Sequence, residues 1–192
     1  MTGPLIIVSG PSGSGKSTLI ERLLAMGAWP LRLSVSVTTR PKRPSEQDGV
    51  HYHFWTREQF DREVQAGGFL EWAEVHGNYY GTLKREVEPA RARGDGVILD
   101  IDVNGRRQVK AQCPDAVSIF IRTSSPEALE RRLRERGTET EEAIQRRLQG
   151  AARELAQAQD YDHQVINDEL DQAVADVRAI VGPLCERRRS NG

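Results

Sequence analysis

A chain of 192 residues with 38% hydrophobic and 29% charged side chains has the length and composition of one soluble folded unit with a substantial core. The formal net charge of −1 excludes bulk nucleic-acid binding, which needs a basic footprint, and no apolar run approaches the ~20 residues of a membrane span. Met1-Thr2-Gly3-Pro4 lacks the basic and apolar stretches of an export signal, so a cytoplasmic location is expected, with Cys113 and Cys185 as buried free thiols.

Leu5-Ile6-Ile7-Val8 predicts a short strand buried on both faces. Gly10-Pro11-Ser12-Gly13-Ser14-Gly15-Lys16-Ser17 follows at once and matches GxxxxGK[ST], the Walker A phosphate loop. Each position has a physical task. Glycines let successive N–H groups curl around a phosphate, Lys16 reaches the β- and γ-phosphates of a nucleotide, and the Ser17 hydroxyl suits Mg²⁺. Leu19, Ile20, Leu23 and Leu24 recur at helical spacing, so the loop delivers the phosphate to a helix N-terminus.

Leu31 to Ser36 alternates as a second strand, followed by a polar loop from Arg40 to Gly49 and a short strand around Tyr52-His53-Phe54. Thr56-x-x-Gln59 is a capping box for a helix carrying Phe60 and Val64, which stops at Gly67-Gly68. Phe69 to Val75 reads as a strand with a turn at Gly77-Asn78, and a helix runs from about Lys84 to Arg93. Val97-Ile98-Leu99 begins a regular β/α alternation: a helix over 103–112, a strand over 117–121, and a helix opened by Ser125-Pro126 and broken at Gly137. Another helix starts near Glu139, with Ala143, Ile144, Leu148, Ala151 and Leu155 on one face. Then come a strand at Val165-Ile166 and a last helix striped by Val174, Val177, Ile180 and Val181. This order predicts an α/β fold of the P-loop NTPase type. A parallel sheet is flanked by helices, and an inserted mixed β/α lobe faces the phosphate loop across a cleft.

Charge is unevenly spread. Arg40, Lys42 and Arg43 form one basic knot, Arg131, Arg132, Arg134 and Arg136 a second, and Arg146-Arg147 a third, while Arg187-Arg188-Arg189 reads as a solvated tail. His51 and His53 alternate on one strand face without a third ligand nearby, so a metal site there is disfavoured.

Beyond the Walker loop, the chain resembles the guanylate kinases nearly end to end. The resemblance rests on Ser34-Val35-Ser36-Val37-Thr38-Thr39-Arg40-Pro41-Lys42-Arg43 with Glu46, Gly49, Tyr52 and Phe54, and on Glu71-Trp72-Ala73. It extends through Gly77-Asn78-Tyr79-Tyr80-Gly81-Thr82, Ile98-Leu99-Asp100-Ile101-Asp102 and Arg136-Gly137-Thr138-Glu139-Thr140-Glu141-Glu142. Ser45 and Trp55 depart from the family pattern at positions that are not ligands. The resemblance implies ATP-dependent phosphorylation of GMP, and of dGMP, with Mg²⁺. It divides the chain into a core (1–34, 89–124 and 158–192), an acceptor lobe (35–88) and a helical lid (125–157). ATP and GMP are the implied partners, with no nucleic acid or membrane.

The residues suit that chemistry. A dianionic phosphate needs forked cations, which Arg40 and Arg43 supply, and Tyr52 and Tyr80 add uncharged donors. Guanine presents N1–H and its 2-amino group as adjacent donors, and a carboxylate accepts from both; the resemblance gives this task to Glu71, supported by Ser36, Thr82 and Asp102. Arg132 and Arg136 share a helical face and Arg147 follows on the next helix. The resemblance makes them lid arginines that meet the transferred phosphate. Asp100 ends an apolar strand as a Walker B acid does, serving either a Mg²⁺-bound water or the orientation of an arginine. Thr18 completes the phosphate site, and Asn167 matches the position that contacts adenine. Two other readings compete: the same fold with a phosphorylated-ribose acceptor, and a module that binds phosphorylated partners without chemistry.

Overall fold

The structure is a computed structural model that describes residues 2–75, 77–135 and 140–186. Five parallel strands form the central sheet: β1 (Leu5–Ser9), β2 (Leu31–Leu33), β7 (Gly96–Asp100), β8 (Val117–Arg122) and β9 (His163–Ile166), in the order β2-β7-β1-β8-β9. The apolar run of β1 is buried throughout because both faces are covered. Ile6 and Val8 pack with Leu19, Ile20 and Leu23 of α1 (Lys16–Ala25) and with Val174, Val177 and Val181 of α7 (Leu170–Glu186). Leu5 and Ile7 pack on the opposite face with Val87 and Ala90 of α3 (Lys84–Ala92) and Val109 of α4 (Val103–Gln112). With β1 flanked by β7 on one side and β8 on the other, the crevice lies beyond the carboxyl ends of these strands.

A second, mixed sheet is built from β3 (Val37–Thr38), β4 (His53–Phe54), β5 (Phe69–Val75) and β6 (Asn78–Leu83), ordered β4-β3-β6-β5. Its core is small: Val37, Phe60, Phe69 and Leu83, with Trp55, Val64 and Tyr79 packed around them. Phe60 comes from α2 (Arg57–Gln65), whose expected capping box forms; Thr56 Oγ1 accepts from the Gln59 N–H and Gln59 Oε1 accepts from the Thr56 N–H at 2.8 Å.

The predicted strand over 31–36 is two strands in two sheets. The Ser34 N–H donates to Ile98 O in the central sheet, whereas Ser36 O accepts from the His53 N–H in the second, so the chain crosses between sheets within two residues. The turn between β5 and β6 also falls earlier than Gly77-Asn78, because Asn78 already pairs with Val75. A register shift between Phe69 and Glu71 marks a bulge at Leu70. It sends three consecutive side chains to three destinations: Phe69 to the small core, Leu70 to the central core and Glu71 to the crevice.

α5 (Pro126–Glu135) and α6 (Glu141–Leu155) pack through Leu129, Leu133, Leu148 and Ala151. Thr140 caps α6, and Arg134 bridges the pair by reaching both Glu130 and Glu141. The break expected at Gly137, the start at Glu139 and the arginine-rich tail lie outside the described residues. Cys113 and Cys185 are half-buried rather than buried and form no disulfide among the described residues, and no helix among the described residues is long and apolar enough to cross a membrane.

Candidate active site

The two sheets and α6 enclose a crevice of about 420 Å³ that runs from the phosphate loop to β5 and β6. At one end α1 begins at Lys16 with Gly15 as its N-cap in a left-handed conformation (φ +85), and no side chain caps it. The amides of its first turn are therefore free to take an anion. A side chain at Gly10 would run into the Ile121 carbonyl and one at Gly15 into the Asn167 amide, so glycine alone lets the loop pass this close to its supports. Lys16 Nζ donates to Gly10 O at 2.6 Å, which folds the lysine across its own loop. Ser12, Ser17 and Thr18 are exposed, whereas Pro11 and Ser14 are buried beneath the loop. Gly13 lies against Leu129 and Leu133 of α5.

Asn167 is placed behind this loop. Its Nδ2 donates to Ser14 O at 2.7 Å, the side chain is buried, and Oδ1 has no partner among the described residues. The amide thus braces the loop backbone, with its oxygen left over. Arg132 donates to Asp168 O at 2.8 Å, and its guanidinium would stand 3.9 Å from a Cβ at Gly15. Arg147 Nη1 donates to Ser12 Oγ at 3.0 Å, so α6 touches the loop directly. Arg136 lies outside the described residues.

Asp100 ends β7 at the floor of the crevice. The surrounding protein raises its carboxyl above the ordinary value and Lys16 opposes that rise. No arginine pairs with Asp100 among the described residues. Glu154 lines the same floor and is raised by burial, again opposed by Lys16. Sequence reasoning overlooked Glu154, although it follows Arg147 by seven residues and so shares its helical face.

The opposite end is made of side chains. Glu71 is 5% exposed; its Oε1 accepts from Thr82 Oγ1 at 2.6 Å. Burial pushes its carboxyl up to about 7, with Asp102 adding to the rise and Thr82 holding it down. Asp102 caps α4, accepting from the Gly105 N–H at 2.7 Å. Ser36, Tyr52 and Tyr80 line the walls, and burial raises the Tyr52 phenol.

Arg40 stacks over Tyr52 and Phe54, its guanidinium 5.3 and 5.6 Å from the ring centres. Its fork is filled by a carboxylate: Nη1 and Nη2 donate to Glu46 at 2.8 and 2.7 Å, and Glu46 also accepts from the Arg43 N–H at 2.8 Å. The Arg40 hydrogen bonds hold the Glu46 carboxyl down at about 2. In the sequence Glu46 is only one member of the pattern around Arg40, and its pairing is a tertiary finding. The Arg43 side chain is exposed. His51 accepts from the Gln47 N–H and His53 lies beside Glu86, and no group of three metal-binding side chains occurs among the described residues.

A family model described as guanylate kinase matches residues 2–183. The guanylate kinase of Symbiobacterium thermophilum is 51% identical over 188 residues, covering 98% of this chain and 88% of that protein. That of Nitrosococcus oceani is 51% identical over 181 residues, covering 94% and 89%. The crystal structure of guanylate kinase from Anaplasma phagocytophilum superposes with a TM-score of 0.76 at 32% identity, covering 94% of this chain and 85% of that one. With a family model and half-identical relatives both spanning nearly the whole length, the chain belongs to the guanylate kinase family.

Proposed function

We propose that this chain transfers the γ-phosphoryl group of ATP to GMP, giving ADP and GDP, and that dGMP is a second acceptor. The carrying observation is the crevice itself, with an uncapped phosphate loop at one end and a buried carboxylate, Glu71, at the other. Phosphates and a guanine edge are what these two ends can bind. The acceptor contacts assigned here fall on phosphate and base and leave the ribose 2′-hydroxyl unread, which is why dGMP is included.

The acceptor phosphate is already a dianion near neutral pH, so its oxygen attacks without a general base. The chain's work is positioning and charge stabilisation. The loop amides and Lys16 hold the ATP phosphates, Arg132 and Arg147 meet the charge that spreads over the transferred group, and Arg40, Arg43, Tyr52 and Tyr80 hold the acceptor phosphate in line. Glu71 accepts from N1–H and the 2-amino group of guanine, with Ser36, Thr82 and Asp102 around the base. Adenine would set its N1 acceptor against the same carboxylate, leaving both unpaired, and discrimination of that kind reaches about 10⁴–10⁵. Arg136 belongs with the lid arginines, and residues 125–157 with a lid that closes over ATP to exclude water.

Magnesium fits the oxygen donors at the loop: Ser17 is exposed in the first turn of α1, and Asp100 faces the crevice beside Lys16 with no arginine on it among the described residues. Bound there with ATP, it would neutralise charge on the β- and γ-phosphates. Ser17 would hold it directly and Asp100 through water.

The test is ADP production from Mg·ATP with GMP, dGMP, AMP, UMP and ribose bisphosphate in turn. Turnover with GMP and dGMP and little with AMP is the expected result. Turnover with ribose bisphosphate alone overturns the acceptor. No turnover from folded protein that binds GMP leaves a binding module instead of an enzyme.

A further inference from the structure

The helix α4 lies along β5, the edge strand of the second sheet, and three of its residues face that strand. Gln108 donates to Trp72 O at 2.9 Å and accepts from the Trp72 N–H at 3.2 Å, and Gln112 donates to Leu70 O at 2.6 Å. One turn earlier on the same face stands Gly105, fully within the protein, with its N–H bonded to Asp102. The glutamines therefore clamp β5 on both sides of Glu71, whose carboxylate lies against Gly105. A Cβ built at Gly105 would lie 2.7 Å from Glu71 Oε2 and 3.2 Å from its Cδ. The next nearest atom, Ile101 Cβ at 3.3 Å, is a milder contact.

We infer that Gly105 is a positioning residue for guanine recognition: its missing side chain is the seat on which the Glu71 carboxylate rests, set by α4 at the depth and angle needed to face the base. The inference rests on the assignment of Glu71 to the guanine edge. Oε1 is tied to Thr82, so the carboxylate has one anchored oxygen and one oxygen over Gly105. A methyl group under the second oxygen must swing the carboxylate about the first, out of the plane in which it accepts two parallel hydrogen bonds. The backbone gives no other reason for glycine. Gly105 has no positive φ, and alanine is the better helix former at a helical position.

The experiment compares Gly105→Ala and Glu71→Gln with the parent enzyme, using GMP and inosine monophosphate, which lacks the 2-amino group, as acceptors. Expected is a fall of at least tenfold in the GMP-to-IMP ratio of kcat/KM for both single variants, no further fall in the double variant, and an unchanged KM for ATP. If Glu71→Gln leaves the ratio intact, the base-reading assignment fails. If Glu71→Gln lowers it and Gly105→Ala does not, the seat fails while the assignment stands.

Thermal melting supplies a second readout that holds even for a weakly folded variant. Gly105→Ala should lower the melting temperature in the parent chain but raise it in a Glu71→Ala background, where the carboxylate it strikes is gone and only helix propensity remains. Equal shifts in the two backgrounds would assign the glycine to general packing and overturn the inference.

Discussion

The two ends of the crevice, proposed above to take phosphate and base, are built by different physical means. At the phosphate loop the donors are backbone amides at a helix start, carried by a strand buried on both faces and braced from behind by Asn167. At the acceptor end the groups are side chains on short strands and a polar loop, over a core of four buried residues. Backbone donors need no charge partner while they wait, and no side chain caps them. The acceptor arginine does need one. Arg40 is held by Glu46, a carboxylate that fills the fork proposed above for the acceptor phosphate. A rigid site for the common substrate and a side-chain site for the particular one follow from this division. Triphosphates are alike, and specificity has to be built from groups that can be changed one at a time.

Breaking the donor end should have the largest effect. Lys16→Ala is expected to cut kcat by about 10³ while GMP binding by calorimetry stays within twofold, because the lysine serves the transferring phosphate and not the acceptor. A kcat within tenfold of the parent would put the transferred charge elsewhere.

The acceptor end should instead respond to pH. Burial lifts the Glu71 carboxyl to about 7, so the folded protein disfavours its charged form. Stability contributed by the neutral carboxyl is present at low pH and is lost as pH rises through 7; guanine needs the ionised form, so GMP binding moves the other way. The KM for GMP should rise about tenfold between pH 8 and pH 6, from the change in ionised fraction alone, and Glu71→Gln should flatten the profile. A parent profile as flat as that of the variant would remove Glu71 from the base.

The smallest expected effect sharpens the contrast in rigidity. Thr56→Ala removes the α2 capping box and should cost about 1 kcal/mol. Since α2 supplies Phe60 to the small core, amide exchange should speed up about fivefold across β3, β5 and β6 and stay unchanged in β1 and β7. Equal acceleration in both sheets would mean that they open as one unit.

Much of this was legible in the residues because it depended on local order. The strand–loop–helix around Lys16, the capping box at Thr56, the Ser125-Pro126 start and the 3.6-residue stripes of α6 and α7 are each written within a dozen residues. The break within 31–36 was not legible. Alternation tells which side a residue faces, and it is silent on which of two sheets the strand joins. The bulge at Leu70, the pairing of Arg40 with Glu46 and the seat of Glu71 on Gly105 were hidden for the same reason. Glu154 carried a readable signal in its spacing from Arg147, but its meaning came from the crevice floor it shares with Asp100 and Lys16.

By itself the sequence determined the phosphate loop and the α/β order, since backbone geometry at a glycine-rich turn and the burial of apolar runs are short-range consequences of residue type, while the family was legible only as a resemblance of motifs spread along the chain. Only the tertiary structure decided which carboxylate lies buried and protonatable, which arginine is already paired and how Asn167 is spent. Those outcomes depend on the dielectric surroundings and on hydrogen-bond partners brought from distant parts of the chain.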